Sequence, residues 1–310
     1  MKYNFDEIID RTGTYSLKND LVPEGTRADN LRMSVADMEF SCAEPILTAL
    51  HQRIDRKIFG YTSYNNDLLK SAVTGWFRRR YQWEIEKDDI FFSPGVVAAF
   101  AFLSSILAQE GDGIIIQSPV YYPFGTKIEG NGRKAVRNPL VYKNGEYHMD
   151  YEDLEKKLAD PKNKGVLFCS PHNPVGRVWT EEELRKLVDL CKKYDKWIIS
   201  DEIHCDLTRN GVQHHPLLKV APDYKDRIVV CTAPSKTFNL AGMQLSNIII
   251  PNKEYQKKWM EFTDERFSLS ICNPLALTAV AAAYNECEDW LDELKTYLEG
   301  NIADANKFIE

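Results

Sequence analysis

The chain has 310 residues, 44% hydrophobic and 27% charged, with a formal net charge of −7. This composition suits a folded protein with a sizeable core and excludes disordered, collagen-like and coiled-coil classes. The acidic balance argues against nucleic acid and anionic membrane surfaces as partners.

The chain opens on MKYNFDEIIDRTGTYSLKND, which lacks a basic segment followed by an apolar run and does not read as a signal peptide. Residues 1–45 are polar and irregular in pattern. Gly95 then opens a helical pattern that reaches Ala108. The apolar stretch Val96–Ala108 contains two serines and is too short to span a bilayer. Candidate strands follow at Ile114–Gln117, Val166–Ser170, Trp197–Asp201, Ile228–Thr232 and Asn247–Ile250. They lack period-two alternation, as strands buried on both faces of a parallel sheet do.

Helical patterns lie between these strands. Tyr151–Leu158 is one. Thr180 heads another, with Glu183 completing a capping box and Leu184, Leu187, Val188 and Cys191 following at helical spacing. From Pro274 the pattern is helical, at Leu275–Tyr284 and from Trp290 to the end. Strand–helix alternation predicts an α/β sheet with helices on both faces. The final NIADANKFIE stops in mid-helix without a cap, so the chain is expected to continue beyond residue 310.

Seven cysteines, with no CxxC spacing, read as reduced, buried thiols of a cytoplasmic protein. The six histidines include no HExxH, and the adjacent pair His214-His215 cannot share a helix face, so no metal site is expected.

Four pieces carry possible chemistry. Lys236 lies just past the apolar run Ile228–Thr232, among small and apolar residues. Burial there would lower its pKa and free the amine to form a Schiff base. Asp201 ends the apolar run Trp197–Asp201, where a carboxylate needs a partner such as a pyridinium nitrogen. Ser170-Pro171-His172-Asn173-Pro174-Val175-Gly176 forms a rigid loop after another buried strand, at the sheet edge where open α/β sheets bind ligands. Ser93-Pro94-Gly95-Val96-Val97 starts a helix whose free N–H groups suit a phosphate. Taken singly, these also read as a surface lysine, a cap, a turn and a plain helix start.

In this order the pieces resemble the pyridoxal-phosphate enzymes of the aspartate-aminotransferase fold, fold type I. Val35-Ala36-Asp37-Met38-Glu39-Phe40, Gly60-Tyr61, Asp201-Glu202-Ile203-His204 and Ala233-Pro234-Ser235-Lys236-Thr237-Phe238-Asn239-Leu240-Ala241-Gly242 narrow the resemblance. They are similar to the cystathionine β-lyase (C–S lyase) branch, of MalY and PatB type. The resemblance implies a mostly parallel seven-stranded sheet with helices on both faces, plus a small α/β domain. It divides the chain into an arm and part of the small domain (1–47), a large cofactor-binding domain (48–285) and the incomplete start of the C-terminal small domain (286–310).

The resemblance also implies roles. Lys236 holds pyridoxal 5′-phosphate and then removes the substrate Cα proton. Asp201 pairs with the ring nitrogen, keeping the ring an electron sink. Asn173 bonds the ring hydroxyl oxygen, and His204 sits near that oxygen. Tyr121 stacks on the ring. The amides of Val96 and Val97 and the Ser235 hydroxyl hold the phosphate. Tyr61 reaches the phosphate of a neighbouring subunit, implying a homodimer with shared sites. The implied reaction is β-elimination from L-cystathionine or a related cysteine S-conjugate, giving a thiol such as homocysteine, pyruvate and ammonia. An aminotransferase of the same fold is the alternative. Two departures stand out. Gln244 replaces an arginine that many aminotransferases place eight residues after the lysine, a weaker phosphate contact. The arginine for the substrate α-carboxylate is expected beyond residue 310.

Overall fold

Seven strands build the central sheet: β1 (Ile90–Ser93), β2 (Gly113–Ser118), β3 (Lys134–Pro139), β4 (Asn163–Cys169), β5 (Trp197–Asp201), β6 (Ile228–Thr232) and β7 (Ser246–Ile249). The computed structural model describes residues 2–21, 25, 31–33 and 35–309. The spatial order is β1-β7-β6-β5-β4-β2-β3. Strand β7 runs antiparallel to both β1 and β6, and every other pair is parallel. Six strands therefore point the same way, and their carboxyl ends share one edge.

The expected seven-stranded, mostly parallel sheet is present. Two of its strands leave little trace in the sequence. Strand β1 is a four-residue piece, Ile-Phe-Phe-Ser. Strand β3 is an edge strand, pairing among the described residues only with β2, and it reads Lys-Ala-Val-Arg-Asn-Pro because much of it faces solvent. By contrast every residue of β5 and β6 is buried.

Helices cover the sheet: α1 (Glu44–Ile54), α2 (Asp67–Tyr81), α3 (Val96–Leu107), α4 (Pro123–Gly130), α5 (Tyr151–Ala159), α6 (Glu181–Lys193), α7 (Lys253–Met260), α8 (Pro274–Glu286) and α9 (Glu288–Ile309). The capping box of α6 is formed in full between Thr180 and Glu183. Helix α3 begins directly after Gly95, whose φ of 125° is open to glycine but strained for other residues. It packs against β5, β6 and β7. Where β4 meets β5, Gly165 pairs with Trp197, and a Cβ there would lie 2.4 Å from the Trp197 carbonyl oxygen. The close approach of the two strands requires glycine at this point.

The N-terminal segment folds back onto α9. Phe5 packs its ring against Phe40, Trp290 and Tyr297, at 5.4, 5.7 and 5.5 Å between ring centres. All seven cysteines are free; six are buried and Cys42 is half-buried. Among the described residues no helix is long and apolar enough to cross a membrane.

Candidate active site

Five loops leave the sheet at the shared carboxyl edge, and each carries a residue singled out by the sequence. Val96 and Val97 follow β1 and Tyr121 follows β2. Asn173 follows β4, Asp201 ends β5, and Ser235 and Lys236 follow β6. A sheet with six co-directional strands places all of them on one side, which is where open α/β sheets present ligand sites.

Asp201 is 5% exposed, in register with Cys169 on β4 and Cys231 on β6. Among the described residues only the Ile203 N–H donates to its carboxylate, at 3.1 Å. Burial raises its pKa to about 7; the Ile203 N–H and the Lys236 charge pull the other way, and neighbouring Glu202 adds to the rise. A carboxylate in this state is stabilised by a cationic donor.

Lys236 lies in a single helical turn, Pro234–Thr237. Burial lowers its pKa, against the opposing charges of Asp37 and Asp201. Its Nζ donates to the Ala36 carbonyl at 2.8 Å. His204 is held neutral, its pKa lowered to about 4 by burial first and by the Lys236 charge second. The Tyr121 amide donates to the Asn173 carbonyl at 2.9 Å, tying two of the loops together. Burial raises the Tyr121 pKa, with the nearby charge of Asp201 contributing. Asp201, Lys236, His204, Tyr121 and Asn173 thus form one cluster. A cavity of about 560 Å³ opens beside it, with Ala36, Asn173, His204 and Arg209 in its wall.

Tyr61 stands apart from this cluster. It is 95% exposed, next to the short antiparallel pair of Thr62–Ser63 with Ile271–Cys272. Gln244 is exposed and left-handed at φ 50°.

Three groups at the site lie within quoted motifs but received no role from the sequence. The first is the Ala36 carbonyl that accepts from Lys236, a backbone atom with no residue-type signal. The second is Asn239, whose side chain accepts from Met38 N–H at 2.9 Å and donates to the Met38 and Phe40 carbonyls at 3.1 and 3.0 Å. It clamps the segment Val35–Phe40 beside Lys236. Arg11 and Lys18 hold the same segment through Asp37 and Glu39. The third is Glu202, fully buried behind Asp201. It accepts from Ser200 at 2.9 Å and Leu217 N–H at 3.0 Å, and pairs with His214 at 2.9 Å. One member of the adjacent histidine pair is therefore a core residue.

The residues fit pyridoxal phosphate, the group this fold implies. Asp201 is a buried carboxylate without a cationic contact among the described residues. Lys236 is a half-buried amine of lowered pKa. The first N–H groups of α3 have no acceptor within the helix. Fold and site together define a fold type I pyridoxal-phosphate enzyme. Residues 28–305 match the family "Aminotransferase class I and II", and the chain belongs to that family.

Named relatives narrow the similarity. "Cystathionine beta-lyase PatB" of Bacillus subtilis (strain 168) is 44% identical over 308 residues, 99% of this chain and 79% of the relative. "Protein MalY" of Escherichia coli (strain K12) is 34% identical over 302 residues, 97% of this chain and 76% of the relative. The crystal structure of cystalysin from Treponema denticola, which contains pyridoxal 5′-phosphate, superposes with a TM-score of 0.95. It is 38% identical and covers 99% of this chain and 78% of its own.

Proposed function

We propose that the protein is a pyridoxal-phosphate-dependent carbon–sulfur β-lyase. It cleaves L-cystathionine or a related cysteine S-conjugate to a thiol such as homocysteine, pyruvate and ammonia. The observation that carries this reading is that Lys236, in the turn after β6, and Asp201, at the end of the neighbouring β5, feel each other's charge, in a chain 44% identical to a cystathionine β-lyase.

Bound pyridoxal phosphate supplies an aldehyde that links to amines and a ring that accepts an electron pair. The chain supplies the rest. Lys236 would hold the group through Nζ, and the same amine would accept the substrate's Cα proton. Its lowered pKa keeps the freed amine available as a base. Asp201 would face the ring nitrogen and keep it protonated. That contact would relieve the cost of burying the carboxylate and keep the ring electron-poor. Asn173 and His204 would hold the ring hydroxyl, with His204 neutral and able to share a hydrogen bond without adding charge. Tyr121 would cover the ring face. The amides of Val96 and Val97 and the hydroxyl of Ser235 would hold the phosphate, and Tyr61 would reach the phosphate of a second copy's site in a homodimer.

We also infer the arm, large-domain and small-domain division at residues 47 and 285. Seven free thiols fit a reducing, cytoplasmic setting.

The family also contains aminotransferases, so transamination is the second reading. The two reactions part after proton removal: the lyase needs no 2-oxo acid acceptor. Pyruvate released from L-cystathionine with added pyridoxal phosphate, no 2-oxo acid and an equal yield of free thiol is the expected result. Turnover only on addition of a 2-oxo acid overturns the lyase reading.

A further inference from the structure

The Lys236 turn is fastened from behind by a buried carboxylate. Asp206 is 4% exposed, and its two oxygens accept three hydrogen bonds. Trp76 Nε1 at 3.2 Å and the Tyr81 hydroxyl at 2.5 Å donate to Oδ1. The hydroxyl of Thr237, next in sequence to Lys236, donates to Oδ2 at 2.7 Å. Burial and the Asp206 charge push the Tyr81 pKa well above its usual value, so its hydroxyl remains a donor. No cation is within ion-pair distance of Asp206 among the described residues, yet its charge is felt at Arg80 and Lys295. Trp76 also packs edge-on against Phe238, which ends the Lys236 turn, at 5.5 Å between ring centres.

We propose that Asp206 is a positioning residue for Lys236: anchored on α2 by Trp76 and Tyr81, it grips Thr237 and so fixes the turn that presents the lysine amine. The turn needs such a grip. It is four residues long, too short to be stable alone. Its own bonds are few, chiefly Phe238 N–H to the Pro234 carbonyl at 2.9 Å and Leu240 N–H to the Ser235 carbonyl at 3.0 Å. Lys236 itself is long and flexible, so the backbone beneath it decides where Nζ sits. Thr237 is fully buried and its hydroxyl is taken up by Asp206, which makes it a handle on the backbone and not a group that touches substrate. The inference rests on the reading of Lys236 as the cofactor-bearing base.

Thr237→Val removes the hydroxyl at nearly constant shape, and Thr237→Ser restores it. In the holoenzyme Thr237→Val is expected to lower kcat about 10- to 100-fold while KM moves less than about twofold, as a misplaced reacting group does. The Ser variant should recover most of the loss. Hydrogen exchange at the Phe238 and Leu240 amides, measured with and without cofactor, should quicken about tenfold in the Val variant, with β6 unchanged. Wild-type kcat and exchange in a folded Thr237→Val protein would overturn the proposal. Lost activity with unchanged exchange would overturn it too, since the hydroxyl would then act on the reaction and not on the turn. If Lys236→Ala keeps turnover, the cofactor reading fails instead; the exchange comparison still reports whether Asp206 holds the turn.

Discussion

Lys236 Nζ and the Ala36 carbonyl meet at 2.8 Å although 200 positions separate them in the chain. The contact joins the segment before α1 to the turn after β6, so the candidate base is held by two distant parts of the sequence. The carbonyl occupies one amine hydrogen, and release of that bond frees Nζ for another partner.

Replacement of the lysine removes both anchor and base. Lys236→Ala is expected to abolish pyruvate release, by about four orders of magnitude or more, as losses of a central catalytic group do. Absorbance of bound cofactor, followed through gel filtration, should also be lost. Near-normal turnover would refute the assignment.

Asp201 links the site to pH. Its pKa is raised to about 7 in the folded chain, above its unfolded value near 3.8. The folded state thus binds a proton that the unfolded state releases between those values. Its contribution favours folding at low pH and is lost as pH climbs from about 4 to about 7, at most roughly 4 kcal/mol. Asp201→Asn removes this dependence. The cofactor-free variant should therefore lose less thermal stability than wild type between pH 5 and pH 8, while the loaded variant loses most of its activity. Parallel stability curves for the two proteins would show that Asp201 does not titrate in this window.

Asn239 tests the clamp on the arm. It adopts φ 56°, so Asn239→Gly keeps the backbone unstrained and removes three hydrogen bonds. The expected cost is about 1–3 kcal/mol. Limited proteolysis should cut before Cys42 faster than in wild type, with the sheet intact. An unchanged cleavage rate would mean that Arg11 and Lys18 suffice to hold the arm.

Gly165 tests the strand contact under the site. A Cβ there would lie 2.2 Å from the Trp197 ring and 2.4 Å from its carbonyl oxygen. Gly165→Ala should cost about 3 kcal/mol, because β4 and β5 must part to admit the methyl group. Chemical denaturation measures this directly; wild-type stability would show that the strands yield freely.

Tyr61 tests sharing between copies. Mixing inactive Lys236→Ala and Tyr61→Ala chains should restore about a quarter of wild-type activity, since half the dimers pair one of each and hold one intact site. No recovery would place Tyr61 outside the neighbouring site.

The buried strands and capped helices were legible from the chain alone. Val166, Ile198 and Val229 lie in continuous apolar runs because both sheet faces are covered, and Thr180 with Glu183 is a local motif that needs no tertiary help. Lys236, Asp201 and Asn173 stand out in the sequence as polar residues at or just past the end of such runs, and it is the resemblance to the family that gives them roles. Strand β3 was not, because solvent on an edge strand removes the apolar signal. The tertiary structure alone decided what surrounds those residues. The Ala36 carbonyl on Lys236, the Asn239 clamp, the burial of Glu202 against His214 and the grip of Asp206 on Thr237 all join segments far apart in sequence. No local pattern encodes such contacts, because burial and partner are set only when the sheet brings its loops to one edge.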